Sequence, residues 1–144
     1  MPEMVKDPVF GEMEYKHRWV KKEKLMLLGK EREIKIIAAA YTGDEICDAQ
    51  RNACMRFRRE QEEIERKLPE LIADYYEKNR AVIEEHYRAP EGGTDPTALV
   101  KPVSLLFDRN GRAVILCDTD WDQESGIGIE LFPEVKVDIQ EVFL

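Results

Sequence analysis

The sequence predicts an α+β domain, in which a largely antiparallel sheet of short strands with two hairpins is covered on one face by two helices. Three observations lead to this fold class: apolar and polar residues alternate near both ends of the chain, helical spacing dominates the middle, and turn signals divide the C-terminal part. Strands followed by helices and then by strands favour an α+β arrangement. A length of 144 residues suits a single domain over 1–144.

The N-terminal part predicts three short strands. Residues 9–15 and 34–38 alternate between apolar and polar side chains, and residues 25–28 form a short apolar run. Turn signals lie near 16–18 and 29–32. Because these connections are short, we expect neighbouring strands to be antiparallel.

The central part predicts two helices, over about 44–67 and 69–87. Thr42 and Glu45 have the spacing of a capping box, which indicates a helix start. Pro69 is poorly tolerated inside a helix but suits a first turn, so we expect a break beside it. One unbroken helix would also be about 65 Å long, which exceeds the width of a compact domain of this size.

A flexible loop and a first hairpin are expected next. Residues 88–98 are rich in glycine and proline, which is typical of a loop. Asn110-Gly111 lies between the apolar runs 103–107 and 113–117. Because Asn-Gly readily adopts the positive φ angles of a tight turn, it predicts a hairpin here.

A second hairpin is expected between residues 127–132 and 135–139, both of which alternate in polarity. Gly126 and Gly128 stand at the start of its first strand. Glycine within a strand pattern indicates a bulge or a close approach of another backbone.

The charge is uneven along the chain. The protein has 22 Lys and Arg residues against 30 Asp and Glu residues, a net charge of −8. Residues 1–67 carry 15 basic and 14 acidic side chains, whereas residues 68–144 carry 7 and 16. Such a negative half repels phosphate backbones, so we expect no nucleic-acid partner. A basic protein or a divalent cation is the better electrostatic match, and the bland alternative is that the acidity only keeps the protein soluble.

The sequence favours a cytoplasmic protein without a membrane partner. No run approaches the ~18 apolar residues that cross a bilayer, and the N-terminal residues lack the apolar core of a signal peptide. The three cysteines form no C-x-x-C pair, and their odd number fits a reducing compartment.

One segment, residues 118–124, predicts a binding site. Asp118, Asp120, Asp122 and Glu124 alternate along it without a basic residue, so in an extended segment their side chains would converge on one face. We expect this acidic surface to bind a second protein. The partner-binding candidates include an aromatic anchor with an acidic rim, formed by Asp120, Trp121, Asp122 and Glu124.

Two other interpretations of this segment stay open. Oxygen ligands favour Ca²⁺ or Mg²⁺, so Asp118, Asp120, Asp122 and Glu124 are also candidate ligands of a metal-binding module or a metal-dependent hydrolase. The segment is not an EF-hand, because Gln123 occupies the position that needs glycine. The second interpretation is a solvated acidic loop in which the tryptophan belongs to the core.

A resemblance supports the first of these hypotheses. Residues 120–129, Asp-Trp-Asp-Gln-Glu-Ser-Gly-Ile-Gly-Ile, resemble the W-D-x-E-H-G-[IL]-G-[IV] signature of a bacterial family of uncharacterised small proteins. Pro8-Val9-Phe10-Gly11, followed by Trp19, resembles the opening of the same family, an F-G strand that leads to a tryptophan. The resemblance implies an immunity-like or accessory role. Ser125 stands where the family has its usual histidine, so no role of that histidine transfers to this chain.

We therefore expect a non-enzymatic protein with no catalytic residue and no cofactor. The two histidines, His17 and His86, lie among charged residues, without the positioned nucleophile that general-base catalysis requires. A homodimer formed through the helical face is a third possibility for the partner.

Overall fold

The computed structural model describes residues 3–87 and 95–144, and within them the chain forms an eight-stranded sheet with three α-helices. The strands are β1 (Glu3–Asp7), β2 (Gly11–Tyr15), β3 (Trp19–Leu27), β4 (Lys30–Ala38), β5 (Val100–Phe107), β6 (Ala113–Thr119), β7 (Ile127–Phe132) and β8 (Lys136–Ile139). The helices are α1 (Asp48–Arg59), α2 (Gln61–Lys78) and α3 (Arg80–His86). Short 3-10 turns cover Pro96–Leu99 and Gln140–Phe143.

The sheet is a meander with one interruption. Its strands lie side by side in sequence order, and all neighbouring pairs are antiparallel except β4 and β5, which are parallel. The crossover between these two strands contains the helices, as parallel pairing requires a long connection. The predicted α+β class with a mostly antiparallel sheet is thereby confirmed. No helix in the described ranges combines the length and the apolar character needed to span a membrane.

The N-terminal part has four strands rather than the three predicted, and two of them, β3 and β4, are longer than predicted. β1 was not predicted at all, and β3 begins at Trp19 rather than at Leu25. The middle of β3, Lys21-Lys22-Glu23-Lys24, consists of charged side chains at exposed or half-buried positions. The strand therefore lacks the alternation of apolar and polar residues that would predict it. Its strand character comes from continuous pairing with β4, which a local pattern does not reveal.

The predicted helix boundaries were wrong. α1 begins at Asp48, where the backbone N–H of Cys47 donates to the side-chain oxygen of Gln50 (3.0 Å), and not at the Thr42 capping box. The helices divide at Glu60 and Asn79.

Pro69 lies inside α2 and does not break it. Proline removes one backbone donor and its ring crowds the preceding turn. Here the ring projects from the exposed side of α2, while the adjacent Leu68 and nearby Ile72 are fully buried. The burial of this apolar stripe therefore outweighs the cost of the proline.

Both predicted hairpins are confirmed. β5 and β6 are joined through Asn110-Gly111, with Gly111 at a φ of 86°, and β7 pairs with β8. Of the predicted loop 88–98, residues 88–94 lie outside the described residues.

The apolar core has two parts. The larger cluster includes every buried apolar helix residue, such as Phe57, Leu68 and Ile72. The smaller cluster consists of residues from the sheet and the C-terminal 3-10 turn: Val20, Ile37, Leu106, Val114, Leu116 and Phe143. Neighbouring residues of one strand fall into different clusters because successive side chains point to opposite faces of the sheet.

Candidate functional site

The acidic segment forms the turn between β6 and β7 and is not extended. Asp118 lies on β6, while residues 120–126 make the turn. The hydroxyl of Thr119 donates to the carbonyl of Asp122 (3.0 Å) and accepts from its N–H (3.2 Å). The N–H of Gly126 also donates to the Asp122 carbonyl (3.0 Å). The predicted convergence of four carboxylates on one strand face is therefore wrong, because the chain turns within the segment.

The structure does not gather these acids into a metal cage. Among the residues the structure describes, no group of three or more His, Cys, Asp or Glu side chains is placed to hold an ion. The side chains of Asp118, Asp120 and Glu124 are instead exposed, and Asp122 is half-buried.

None of these four carboxylates has a cationic partner within the chain as described. No Lys, Arg or His nitrogen of residues 3–87 or 95–144 lies within 4.0 Å of them. Arg112, which precedes β6, pairs with Asp108 (3.6 Å) and Glu130 (3.3 Å) instead. Lys101 of β5 lies opposite Asp118 in the sheet register without forming a close ion pair. Asp120, Asp122 and Glu124 therefore carry most of the negative charge that is open to solvent or to another molecule.

Trp121, the predicted aromatic anchor, is a mostly buried residue. Only 9% of it is exposed, and its ring packs edge-to-face against Tyr76 of α2, with centroids 5.4 Å apart. Such aromatic pairs contribute about 0.5–1.5 kcal/mol beyond their area burial. The tryptophan therefore fixes the turn to α2.

Two glycines of the 120–129 motif, Gly126 and Gly128, allow the C-terminal 3-10 turn to pack closely against the sheet. A Cβ at Gly126 would overlap the carbonyl oxygen of Cys117, which also accepts a hydrogen bond from the side-chain amide of Gln140 (2.8 Å). A Cβ at Gly128 would overlap the ring of Phe143. The predicted close backbone approach is thus confirmed at Gly126, whereas at Gly128 the close neighbour is the side chain of Phe143. Both glycines have a structural role.

A cavity of about 290 Å³ opens between the α2–α3 junction and the β6–β7 turn. Its polar lining includes Tyr75, Asn79 and Asp122, and its apolar lining includes Val82 and Ile83. The remaining lining residues are His86, Trp121, Gly126 and Ile139. Asn79 ends α2 and precedes α3, so the helix break shapes one wall.

The electrostatic environment of the cavity is acidic. Burial raises the pKa of Tyr75, and the carboxylates of Asp138 and Asp122 raise it further. Both carboxylates therefore raise the pKa of the same Tyr75 phenol, although Asp122 lies in the β6–β7 turn and Asp138 lies on β8. The sequence did not predict this acidic environment, because tertiary packing brings together residues more than 40 positions apart.

The cavity offers recognition groups, with no nucleophile held by a base among its described lining. His86 lines it, but 80% of the histidine side chain is exposed, and its nearest acidic partner is Glu85 at 3.9 Å. General-base catalysis needs a base within hydrogen-bond reach of the group it deprotonates. Apolar walls with a few polar groups instead suit binding.

Comparison with known proteins places the chain in an uncharacterised family. A family model described as Domain of unknown function (DUF6985) matches residues 9–141. No curated protein and no solved structure shows a significant match. The expectation of an uncharacterised family is thereby confirmed.

Proposed function

The chain belongs to the DUF6985 family, and we propose that it is a non-enzymatic protein that binds a basic surface of another protein through its β6–β7 turn. The observation that carries this proposal is a set of four carboxylates that have no Lys, Arg or His nitrogen within 4.0 Å among the described residues: Asp118, Asp120, Asp122 and Glu124. Neighbouring like charges repel one another unless solvent or a cation neutralises them. A partner's lysines and arginines would relieve that repulsion and steer association in a salt-dependent way.

The rigidity of the turn supports a recognition role. Hydrogen bonds between Thr119 and Asp122 close it, and Trp121 is packed on α2. A preorganised binding loop loses less conformational entropy when its partner arrives, so more of the interaction energy remains as affinity.

The proposal also covers the localisation of the protein, its role in the cell and the placement of its helices. We infer a cytoplasmic, bacterial protein with an immunity-like or accessory role, in which the helices cover one face of the sheet. All buried apolar helix residues belong to the larger cluster, which supports that arrangement. Three free cysteines, two of them buried, fit a reducing compartment.

A capture experiment with charge-matched variants tests the function. The site variant is Asp118→Asn/Asp120→Asn/Glu124→Gln. The control variant, Glu31→Gln/Glu62→Gln/Glu70→Gln, changes the net charge equally at exposed positions elsewhere. From a lysate of the native host, wild type and control should retain a basic protein that the site variant loses.

Two results would count against the proposal. One is capture that the site variant retains in full. The other is a melting temperature that millimolar Ca²⁺ or Mg²⁺ raises in wild type but not in the site variant, because an ion that binds only the native state stabilises it. The second result would favour the metal-binding hypothesis.

A further inference from the structure

We propose that the cavity beside the β6–β7 turn receives one lysine or arginine side chain of the partner. Its cationic group would lie near Asp122 and Asp138, and its aliphatic stem would pack on the apolar wall. This inference rests on the proposed function, since it names the group by which the basic partner is recognised.

The apolar wall suits a long aliphatic stem. Val82 is 64% exposed although it is a valine on a helix that packs on the core, and it lines the cavity with Ile83 and Ile139. Lysine and arginine bury their methylene stems along apolar surfaces while the charge stays near polar groups. A volume of about 290 Å³ lies at the lower limit of small-molecule pockets, which fits a single side chain.

Asp122 is the carboxylate among the described lining residues of the cavity. Asp138 lies just outside the lining, on β8 next to the lining residue Ile139, whose N–H donates to it (2.8 Å), and its charge acts on the lining residue Tyr75. Within the described chain, neither carboxylate lies within 4.0 Å of a basic nitrogen. The aromatic residues Tyr75 and Trp121 also line the cavity, and lysine and arginine are attracted to aromatic rings.

The described cations of this region have other partners or line another cavity. Arg80 of α3 pairs with Glu77 (2.8 Å). Lys78 and Lys136 line a separate cavity that shares Tyr75 with the first. No basic side chain of residues 3–87 or 95–144 apart from His86 lines the first cavity.

Small-molecule probes test the cavity without knowledge of the partner. N-acetyl-arginine methylamide and N-acetyl-lysine methylamide carry the proposed groups, and N-acetyl-norleucine methylamide has a similar stem without the charge. Methyl and amide NMR shifts of the full chain would be followed at Val82, Ile83 and Ile139. We expect saturable shifts with the two cationic probes and none with norleucine.

Substitutions of Asp122 and Asp138 test whether these carboxylates attract the cationic group of the probe. Asp122→Asn/Asp138→Asn should weaken the cationic probes about tenfold, since the attraction of two half-buried carboxylates for the cationic group is lost. Asp122→Asn keeps an oxygen that accepts from Ser125, so the turn should still form. Glu31→Gln/Glu62→Gln, which removes the same number of charges at exposed positions outside the cavity lining, is the control and should leave probe affinity unchanged. Equal shifts with norleucine, no shifts at all, or unchanged affinity in the double variant would each overturn the inference.

The two proposals fail separately. In one outcome, probe binding depends on Asp122 and Asp138, but capture of the partner does not change in the variant of Asp118, Asp120 and Glu124. That outcome would support the cavity and contradict the acidic docking surface. Capture that depends on those three acids, without probe binding, would leave the docking surface and overturn the cavity.

Discussion

Two turns of this molecule use an aspartate in the same way but differ in what neutralises it. At the β1–β2 turn, Asp7 accepts from the N–H groups of Val9 and Phe10 (both 2.9 Å). At the β6–β7 turn, Asp122 accepts from the N–H of Ser125 (3.0 Å), again three residues onward. Only Asp7 also receives an arginine, Arg51 of α1, at 2.8 Å.

This difference separates a structural carboxylate from one that is open to a partner. The side chain of Asp7 is 1% exposed and bridges the N-terminal strands to α1. Burial would raise the pKa of Asp7, but the N–H of Phe10 and the guanidinium of Arg51 outweigh it and hold the pKa below its usual range. Asp122 stabilises its turn without a basic nitrogen within 4.0 Å among the described residues, so its charge remains available to solvent and to a partner.

The largest expected effect is at Asp7. Asp7→Asn removes the charge from a buried, hydrogen-bonded ion pair, so we expect a loss of about 2 kcal/mol in the free energy of unfolding at pH 7. Urea denaturation would measure it. Asp122→Asn is the matched comparison and should cost less than about 1 kcal/mol, because its backbone hydrogen bond persists. Equal losses at the two turns would erase the distinction drawn between them.

The pH dependence of the Asp7 effect follows from its lowered pKa. A carboxylate with a depressed folded-state pKa contributes its full stabilisation above the unfolded-state value, about 3.9. That contribution is lost as the pH falls through the folded-state pKa. Wild type and Asp7→Asn should therefore converge in stability in strong acid, whereas a constant difference across this range would contradict the assignment.

The next largest effect on stability is expected at Gly128, at the start of β7, and it tests whether this glycine is needed for packing. Gly128→Ala should cost about 1–3 kcal/mol, because its Cβ overlaps the ring of Phe143. In a Phe143→Ala background the same substitution should cost much less, which a double-mutant cycle in urea would show. Additive losses would mean that the ring does not constrain this glycine.

The smallest effect on stability is expected at the exposed acids. Asp118→Asn/Asp120→Asn/Glu124→Gln should change the free energy of unfolding by no more than about 0.5 kcal/mol, since these side chains are exposed and form no ion pair within 4.0 Å in the described part of the chain. The sign should be neutral or slightly stabilising, because like charges are removed. Thermal melts would test this. A loss of more than about 1 kcal/mol in the free energy of unfolding would show that these acids stabilise the fold.

The features that local chemistry determines could be predicted from sequence. Asn110-Gly111 specifies a hairpin because the required positive φ is a property of the two residues themselves. The helix break could not be located in this way. Pro69 is tolerated because it faces solvent, and that orientation depends on which residues the tertiary structure buries.

The same limit applies to the candidate site. The spacing of the acids identified residues 118–124, but it implied an extended segment where the chain turns. Tyr75 and Asp138 carry no local signal of a site. Tyr75 lines the same cavity as Asp122, and the charge of Asp138 acts on Tyr75, because α2 packs beside β8.

Calorimetric titration with a nine-residue peptide of alternating arginine and glycine tests the central claim most directly. We predict binding to wild type that weakens with salt and is about tenfold weaker in Asp118→Asn/Asp120→Asn/Glu124→Gln, from the loss of three exposed charge pairs. The charge-matched Glu31→Gln/Glu62→Gln/Glu70→Gln variant should keep nearly the wild-type affinity. Equal weakening in the two variants would show that only the net charge matters and would contradict a binding site at the β6–β7 turn.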